Sequence, residues 1–303
     1  MTRVAQLLAI AALAALSAAC GGSGGTGATA GEPISFEQLS QAASTSAEAT
    51  SGRFSFTLEV SSPELEQELG FSGEGAFDAT AERSSFSADL SSFMALLGGL
   101  FAGVSGGDGP DFDDPSLWTI EIVRDGSQTF MKLPAIASKL PDGKVWVRVE
   151  DGELVEAAGL KLQEFDRFTG ADPKQLLDVL RELSGEIEVV GREALRGVET
   201  THYRATVDAE SIAKSASKET GDDLGDLTDR LVGQSGLSEV PIDVWIDGDG
   251  ILRKVVLDVE ATQPGSSAPS RALLGFELWD LGEPVTIELP PSSEVVDVTR
   301  LER

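Results

Sequence analysis

The sequence predicts an α+β fold, in which a mostly antiparallel β-sheet carries a few helices on one face. Three observations predict it. Stretches of alternating apolar and polar residues recur along the chain, Asp-Gly pairs punctuate them, and only a few segments have the apolar spacing of a helix. Alternation with period two is typical of a strand that is buried on one side only. Long runs of strands with few helices favour an arrangement in which the helices cover the apolar side of the sheet.

The first predicted strand shows the alternation over residues 53–60. Phe54, Phe56 and Leu58 fall on one face, and polar residues fall on the other. Ten later stretches have the same pattern: Phe71 to Asp78, Ser84 to Leu90, Trp118 to Arg124, Thr129 to Leu133, Lys144 to Glu150, Glu186 to Val190, Thr200 to Asp208, Val240 to Ile246, Leu252 to Glu260 and Leu273 to Asp280.

Tight turns are predicted where aspartate precedes glycine, because this pair readily takes the positive φ angles of a hairpin turn. The pairs are Asp125-Gly126, Asp142-Gly143, Asp151-Gly152 and the run Asp247-Gly248-Asp249-Gly250. The strands are therefore expected to pair mostly antiparallel.

Helix signals are few. Ser35 with Gln38 resembles a capping box, and the helix that it opens should end before Gly52. A second helix is predicted between Asp172 and Gly185, and two shorter helices between Ala209 and Val232.

The N-terminus has the pattern of a lipoprotein export signal. Arg3 precedes an apolar stretch, and Ser17-Ala18-Ala19 precede Cys20, the one cysteine of the chain. In the bacterial lipobox that these residues resemble, the cysteine is lipidated and becomes the new N-terminus. We therefore expect residues 1–19 to be a signal peptide and residues 20–33 to be a lipidated cysteine with a flexible Gly/Ser tether. The alternative is an ordinary secretory signal with an incidental thiol.

Composition and charge limit the function further. The 303 residues include 23 basic and 51 acidic side chains, a formal net charge of −28. Such a surface repels polyanions, which argues against nucleic acid as a partner. With 41% hydrophobic and 24% charged residues the chain is globular. Without an internal repeat or a second change of composition, residues 34–303 are expected to form a single domain.

One segment stands outside the strand pattern. Residues 93–104 are apolar on all sides and run into a stretch rich in Gly, Asp and Pro that ends at Pro115. The segment is too short to cross a membrane. It is either a buried helix or loosely ordered insertion, or a mobile lid over a cavity. The lid residues would be Phe93, Leu96, Leu97, Leu100 and Phe101.

Two short sequences match catalytic motifs, but neither has the flanking structure or companion motif that the chemistry requires. Residues 103–107 read Gly-Val-Ser-Gly-Gly, but a nucleophile elbow needs a strand before the serine and a helix after it. Residues 211–214 read Ser-Ile-Ala-Lys, but the Ser-Asp-Asn companion motif is impossible in a chain without asparagine. His202, the one histidine, is expected on the solvent face of its strand. One histidine and one cysteine cannot build a zinc or copper site. The sequence predicts no enzyme, no cofactor and no metal.

A family resemblance rests on short motifs in and beside the strands. The motifs, besides the lipobox and tether, are Gly75-Ala76-Phe77-Asp78, Lys144-Val145-Trp146-Val147, the run from Gly197 to Tyr203, Val244-Trp245-Ile246-Asp247 and the run from Trp279 to Val285. Together they resemble the LppX/LprAFG lipoproteins of actinobacteria, relatives of LolA. The similarity covers most of Ile34 to Leu301.

The resemblance implies a strongly bent antiparallel half-barrel with helices packed over its concave face. It also implies an apolar cavity for the acyl chains of a lipid or glycolipid, carried without chemistry at the extracytoplasmic face of the cell membrane. An envelope transporter or other partner protein would then be a further contact. The expected cavity wall is Phe54, Phe56, Leu58, Phe77, Tyr203 and Val244. For each of these, plain core packing is the alternative. The alternative function is a non-carrying regulatory sensor, resembling RseB, that binds a partner protein.

Overall fold

The architecture is seen in a computed structural model that describes residues 33–62, 68–95, 111–112, 114–150, 184–208, 239–261 and 268–297. Two helices are named here, α1 (Phe36–Ala47) and α2 (Pro134–Ala137). The strands are β1 (Ser51–Ser61), β2 (Leu69–Asp78), β3 (Arg83–Asp89), β4 (Thr119–Asp125), β5 (Gln128–Lys132), β6 (Trp146–Glu150), β7 (Ser184–Leu195), β8 (Val198–Asp208), β9 (Glu239–Asp247), β10 (Leu252–Ala261), β11 (Ser270–Trp279) and β12 (Val295–Asp297).

The described strands form one sheet in the order β12-β6-β5-β4-β3-β2-β1-β11-β10-β9-β8-β7. Neighbours pair antiparallel except β12, which lies parallel to β6. The sheet is open, since the edge strands β12 and β7 do not pair with each other. The α+β class and the mostly antiparallel sheet predicted from sequence are confirmed.

All eleven stretches predicted as strands are strands, because alternation is a local signal that each stretch carries by itself. The sequence analysis missed β12, which has only three residues and so no room for a detectable period. It also missed the turn between β7 and β8, where Arg196 and Gly197 both have positive φ.

Helix α1 begins as predicted. Ser35 Oγ accepts a hydrogen bond from the Gln38 backbone, and the Gln38 side chain accepts one from the Ser35 backbone. Near its other end, the buried Ser46 hydroxyl donates to the Ala42 carbonyl and accepts from the Leu252 backbone N–H, at 2.8 Å each. These bonds fix α1 against the first residue of β10, on the apolar side of the sheet.

The end of the described chain covers part of the opposite face. Val285 and Ile287 pack there with Phe130 and Trp146. The Gly282 backbone N–H donates to the Ser51 carbonyl of β1 at 2.9 Å. The Ser51 hydroxyl in turn donates to the Glu283 carbonyl, also at 2.9 Å. The sheet is therefore partly covered on both faces. The alternation had suggested that one face is exposed to solvent throughout, and this is not so.

Several predictions fall on residues outside the described ranges. They concern the helix between Asp172 and Gly185, the two helices between Ala209 and Val232, and most of the apolar segment 93–104. Among the described helices none is long and apolar enough to cross a membrane.

Candidate functional site

The candidate site is one face of the sheet, called the apolar face here. Residues that lie directly opposite each other on neighbouring strands have their side chains on the same face of the sheet. Phe56 of β1, for example, lies opposite Gly73 of β2 and Phe276 of β11. Continued across the sheet, the same face holds Val255 of β10 and Val244 of β9. One side of the sheet is thus apolar over many neighbouring strands.

One end of this face is buried, and we call it the closed end. It lies where α1 packs, and its members on the central strands are Phe56, Phe86, Val244, Val255, Phe276 and Leu278. Leu39 and Ala43 of α1 pack directly against the part formed by β8, β9 and β10. The closed end is ordinary core.

On the four strands β1, β2, β10 and β11 the other end of the same face is half-buried, and we call this part the open end; on the neighbouring β9, Ile242 and Val240 are buried. Its members are Leu58, Val60, Leu69, Phe71, Leu257, Val259, Ala272 and Leu274. They lie on β1, β2, β10 and β11, which also contribute to the closed end or border it. Eight apolar side chains therefore form a contiguous half-buried patch on one end of a sheet face, a feature that commonly marks a binding surface.

A group of phenylalanine rings lies where the closed end borders the open end. Phe54 stacks on Phe86 and on Phe276, with ring centroids 6.1 and 6.0 Å apart. Phe56 lies 5.4 Å from Phe86 and 4.8 Å from Phe71. These spacings are within the range of attractive aromatic pairs.

Two glycines of β2 make room for these rings. A Cβ on Gly75 would lie 2.5 Å from Phe54 Cζ, and a Cβ on Gly73 would lie 2.8 Å from Phe56 Cε1. Both would also clash with backbone carbonyls of β3, at 2.5 and 2.6 Å. The Phe54 and Phe56 rings therefore lie across β2 in places where any other residue would have a side chain.

The six residues predicted as cavity wall all lie on the apolar face, but in different surroundings. Val244 is 0% exposed and packs with Tyr203 in the cluster under α1. Phe56 is also buried, whereas Phe54, Phe77 and Leu58 are half-buried. Of the six, Leu58 belongs to the open end. Their role as a cavity wall remains a prediction.

The predicted lid starts beside the open end. Residues 91–95 are helical, the Met94 backbone N–H donates to the Leu90 carbonyl, and the Met94 side chain joins the aromatic core. Phe93 is 49% exposed. Leu96, Leu97, Leu100 and Phe101 lie outside the described residues, so the lid remains a prediction.

A cleft of about 50 Å³ occurs among the described residues, away from the open end. It lies beside the β7–β8 turn, where the Arg196 guanidinium stacks 3.7 Å from the Trp279 ring and bonds to Glu277 at 2.7 Å. Ligand pockets usually enclose about 300–1,000 Å³. This cleft is too small for an acyl chain.

The outer face carries a polar cluster that the sequence analysis missed. His202 does lie on this face, as predicted, but its side chain is only 15% exposed because it stacks on Trp245 with centroids 4.2 Å apart. Its Nε2 lies 2.6 Å from Asp243 Oδ1, and Arg204 donates to both oxygens of Asp243 at 2.9 and 3.0 Å. The expectation of an ordinary exposed histidine was therefore wrong in its burial.

The electrostatics of that cluster are those of a structural ion pair. The hydrogen bonds from Arg204 to Asp243, and then the attraction between their charges, raise the pKa of Arg204 above its ordinary value. Trp245 Nε1 donates to Glu193 of β7, and the Lys254 ammonium lies 4.8 Å from the Trp245 ring. The cluster thus joins β7 to β10 side by side. Alternation predicts the outward face of each residue, but only the register of β8 against β9 brings them together.

No group of three or more His, Cys, Asp or Glu side chains in the described part of the chain is arranged to hold a metal ion.

No protein-family model matches the chain. It is 28% identical over 156 residues to the uncharacterized 31.2 kDa protein in the rplA-rplJ intergenic region of Streptomyces griseus, a stretch that spans 51% of this chain and 48% of that protein. The matched stretch is thus about half the length of that curated relative.

Two solved structures resemble the chain along most of its length. LprF from Mycobacterium bovis has a TM-score of 0.45 at 17% identity, over 86% of this chain and 99% of that one. The Mycobacterium tuberculosis lipoprotein LppX has a TM-score of 0.43 at 15% identity, over 84% and 97%. The described part of the chain is an α+β protein with an open, mostly antiparallel sheet, and LprF and LppX are structures to which it is similar.

Proposed function

We propose that this protein is an envelope lipoprotein that holds the acyl chains of a lipid or glycolipid against the open end of its apolar face and carries them without chemistry. The observation that supports this most is the contrast in burial along one face. The closed end is packed as core, while the eight open-end side chains are apolar and half-buried. An apolar guest that covers them removes their surface and its own from water.

The energy available to such a guest is large. Each methylene taken out of water contributes about 0.8 kcal/mol. Roughly ten methylenes would contribute about 8 kcal/mol, from which the entropy cost of binding has to be subtracted. The open end carries no titratable side chain that could attack or protonate the guest, and this supports carriage over catalysis.

The surroundings of the open end favour an uncharged headgroup. Exposed carboxylates stand at the same end of the sheet, on Glu68, Asp89, Glu239 and Glu260. Arg271 also lies there, but it bonds to both oxygens of Asp258, at 2.7 and 2.6 Å. An anionic headgroup would meet a negative potential. We expect a neutral glycolipid to compete better than an anionic phospholipid of the same chain length.

The anchor belongs to the same proposal. Cys20 would be lipidated and would become the new N-terminus when residues 1–19 are removed, and the tether of residues 20–33 would reach roughly 20 Å if it behaves as a flexible coil. With two or more acyl chains the attachment would be durable. Replacing Cys20 with serine should move the protein from the membrane fraction to the soluble fraction, and retention on the membrane would argue against the anchor.

The test of lipid binding is mass spectrometry of Ile34–Arg303, expressed with export and purified without detergent. We expect native spectra to show bound acyl lipid that organic solvent extracts. Leu274→Gln should reduce retention several-fold, because it places an amide on the open end. Leu273→Gln is the matched control, since Leu273 is also half-buried but lies on the outer face of the same strand.

The regulatory sensor is the rival outcome of this test. A sensor would come out of purification without lipid and would instead capture a protein of the membrane fraction. Equal lipid retention by the two leucine variants would also contradict the proposed binding surface.

A further inference from the structure

The position of the phenylalanine rings has a consequence for the guest. Phe54, Phe56, Phe86 and Phe276, called the aromatic bar here, lie on β1, β3 and β11. Their rings stack from strand to strand with centroids 5.4 to 6.1 Å apart. The bar runs across the strands of the apolar face, with Phe86 level with Phe54 and Phe276 level with Phe56. An acyl chain that enters from the open end, parallel to the strands, would therefore run into these rings.

The rings of the bar are fixed in position by the residues beneath and around them. Gly73 and Gly75 let two of its rings lie over β2, and the Phe56, Phe86 and Phe276 side chains are buried. On the side of Phe276 away from the open end, Leu278 of the same strand is buried and packs in the same cluster. A guest chain therefore could not pass the bar without displacing core side chains, which would cost on the order of 1–3 kcal/mol or more.

We propose that the aromatic bar is the stop for the acyl chain and that Phe56 sets the length of chain that the protein accepts. This inference depends on the proposed function, because it assigns the depth of that same site. From Phe56 to Ser61, the last residue of β1, the strand rises by about 17 Å at roughly 3.3 Å per residue. One leaflet of a bilayer has a hydrocarbon thickness of about 15 Å. The space between the bar and the end of the strand therefore matches the length of an ordinary membrane acyl chain.

Two substitutions move the stop in opposite directions. Phe56→Leu removes the ring and should lengthen the site. Leu58→Phe adds a ring on the same face, two residues nearer the open end, and should shorten the site by up to about 7 Å. Leu58 is half-buried, so a larger side chain there should be tolerated.

Each variant has a control on the outer face. Phe130→Leu makes the same change as Phe56→Leu at a similar burial, 9% exposed against 7%, and Phe130 packs in the outer-face cluster with Trp146. Leu273→Phe matches Leu58→Phe, since both leucines are half-buried. Circular dichroism of all four variants checks that the sheet is retained.

The measurement is the chain-length distribution of lipids extracted from Ile34–Arg303 after growth on a mixture of fatty acids. We expect Phe56→Leu to shift the distribution to longer chains and Leu58→Phe to shift it to shorter ones, with both controls like the wild type. If lipid is bound but Leu58→Phe leaves the distribution unchanged in a folded protein, the stop is wrong while the carrier remains. If the wild type binds no lipid, both proposals are wrong.

Discussion

At the closed end of the apolar face, Val244 is fully buried under α1, while at the open end Val259 is half-buried, although both are valines on the same side of the sheet. Their strands, β9 and β10, are direct neighbours. The difference therefore comes from what lies over the strands and not from the strands themselves. It teaches that one continuous apolar face can be packed as core in one part and half-buried in another, according to what covers it.

The most severe test of this contrast introduces a charge at each end. Val244→Asp should cost about 3–5 kcal/mol, because an unpaired carboxylate would be buried among apolar side chains. Such a loss is comparable with the whole stability of many domains. Val259→Asp should cost about 1 kcal/mol, since water reaches this position. Urea unfolding of both variants measures the difference, and equal losses would remove the distinction between the ends.

A second prediction concerns the boundary. Gly75→Ala should cost about 2 kcal/mol, because the new methyl group would overlap the Phe54 ring and the Ser85 carbonyl. Gly191→Ala in β7 is the control, since its Cβ would meet nothing within 4 Å. The control should change stability by no more than about 0.5 kcal/mol. Similar melting curves for the two variants would show that the aromatic rings are not held by the glycines.

The outer face behind the closed end has its own test. Asp243→Ala should cost about 2 kcal/mol, because Arg204 and His202 both lose their carboxylate partner and the His202 side chain, only 15% exposed, is left with little access to water. Asp249→Ala, at an exposed turn position of the neighbouring hairpin, should be nearly neutral. Thermal unfolding compares them. A neutral Asp243→Ala would mean that the polar cluster does not hold β8 and β9 together.

The smallest effect is expected at the outer face of the open end. Hydrogen bonds from Arg271 hold the pKa of Asp258 below its ordinary value of 3.8. Because the folded pKa is the lower one, the pair stabilises the fold above that ordinary value and loses this contribution as the pH falls through the folded pKa. Both side chains are more than a third exposed, so solvent screens the pair.

Asp258→Asn should therefore reduce the melting temperature only slightly at neutral pH, and the variant and wild type should converge in acid. High salt should also narrow the gap. A gap that persists at low pH would show that the asparagine disturbs packing and that the charge is not responsible.

Much of the candidate site could be predicted from the sequence, in the sense that every proposed wall residue lies on the predicted face. Phe54, Phe56 and Leu58 share one side of β1 because successive side chains of a strand point in opposite directions. Their different burial could not be predicted, since Phe56 is covered by Phe86 from β3 and Leu58 belongs to the half-buried patch. Alternation carries no information about what covers a face.

The outer-face cluster shows the same limit for polar residues. His202 and Asp243 are 41 residues apart in the chain, and the alternation of their strands is consistent with the outer-face position that both have in the structure. Their contact depends on the register of β8 against β9, in which His202 lies opposite Trp245 and Arg204 lies opposite Asp243. Register is a property of two strands together, so neither strand's pattern reveals it.

The sequence by itself determined eleven of the twelve described strands, which side of each is apolar and where α1 begins. These are short-range properties, set by side-chain period, capping and turn chemistry within a few residues. The tertiary structure alone decided the strand order and the boundary between the closed and open ends. It also decided that Gly73 and Gly75 lie beneath rings of the aromatic bar. Each of these depends on which distant residues come within packing distance, and no local pattern records that.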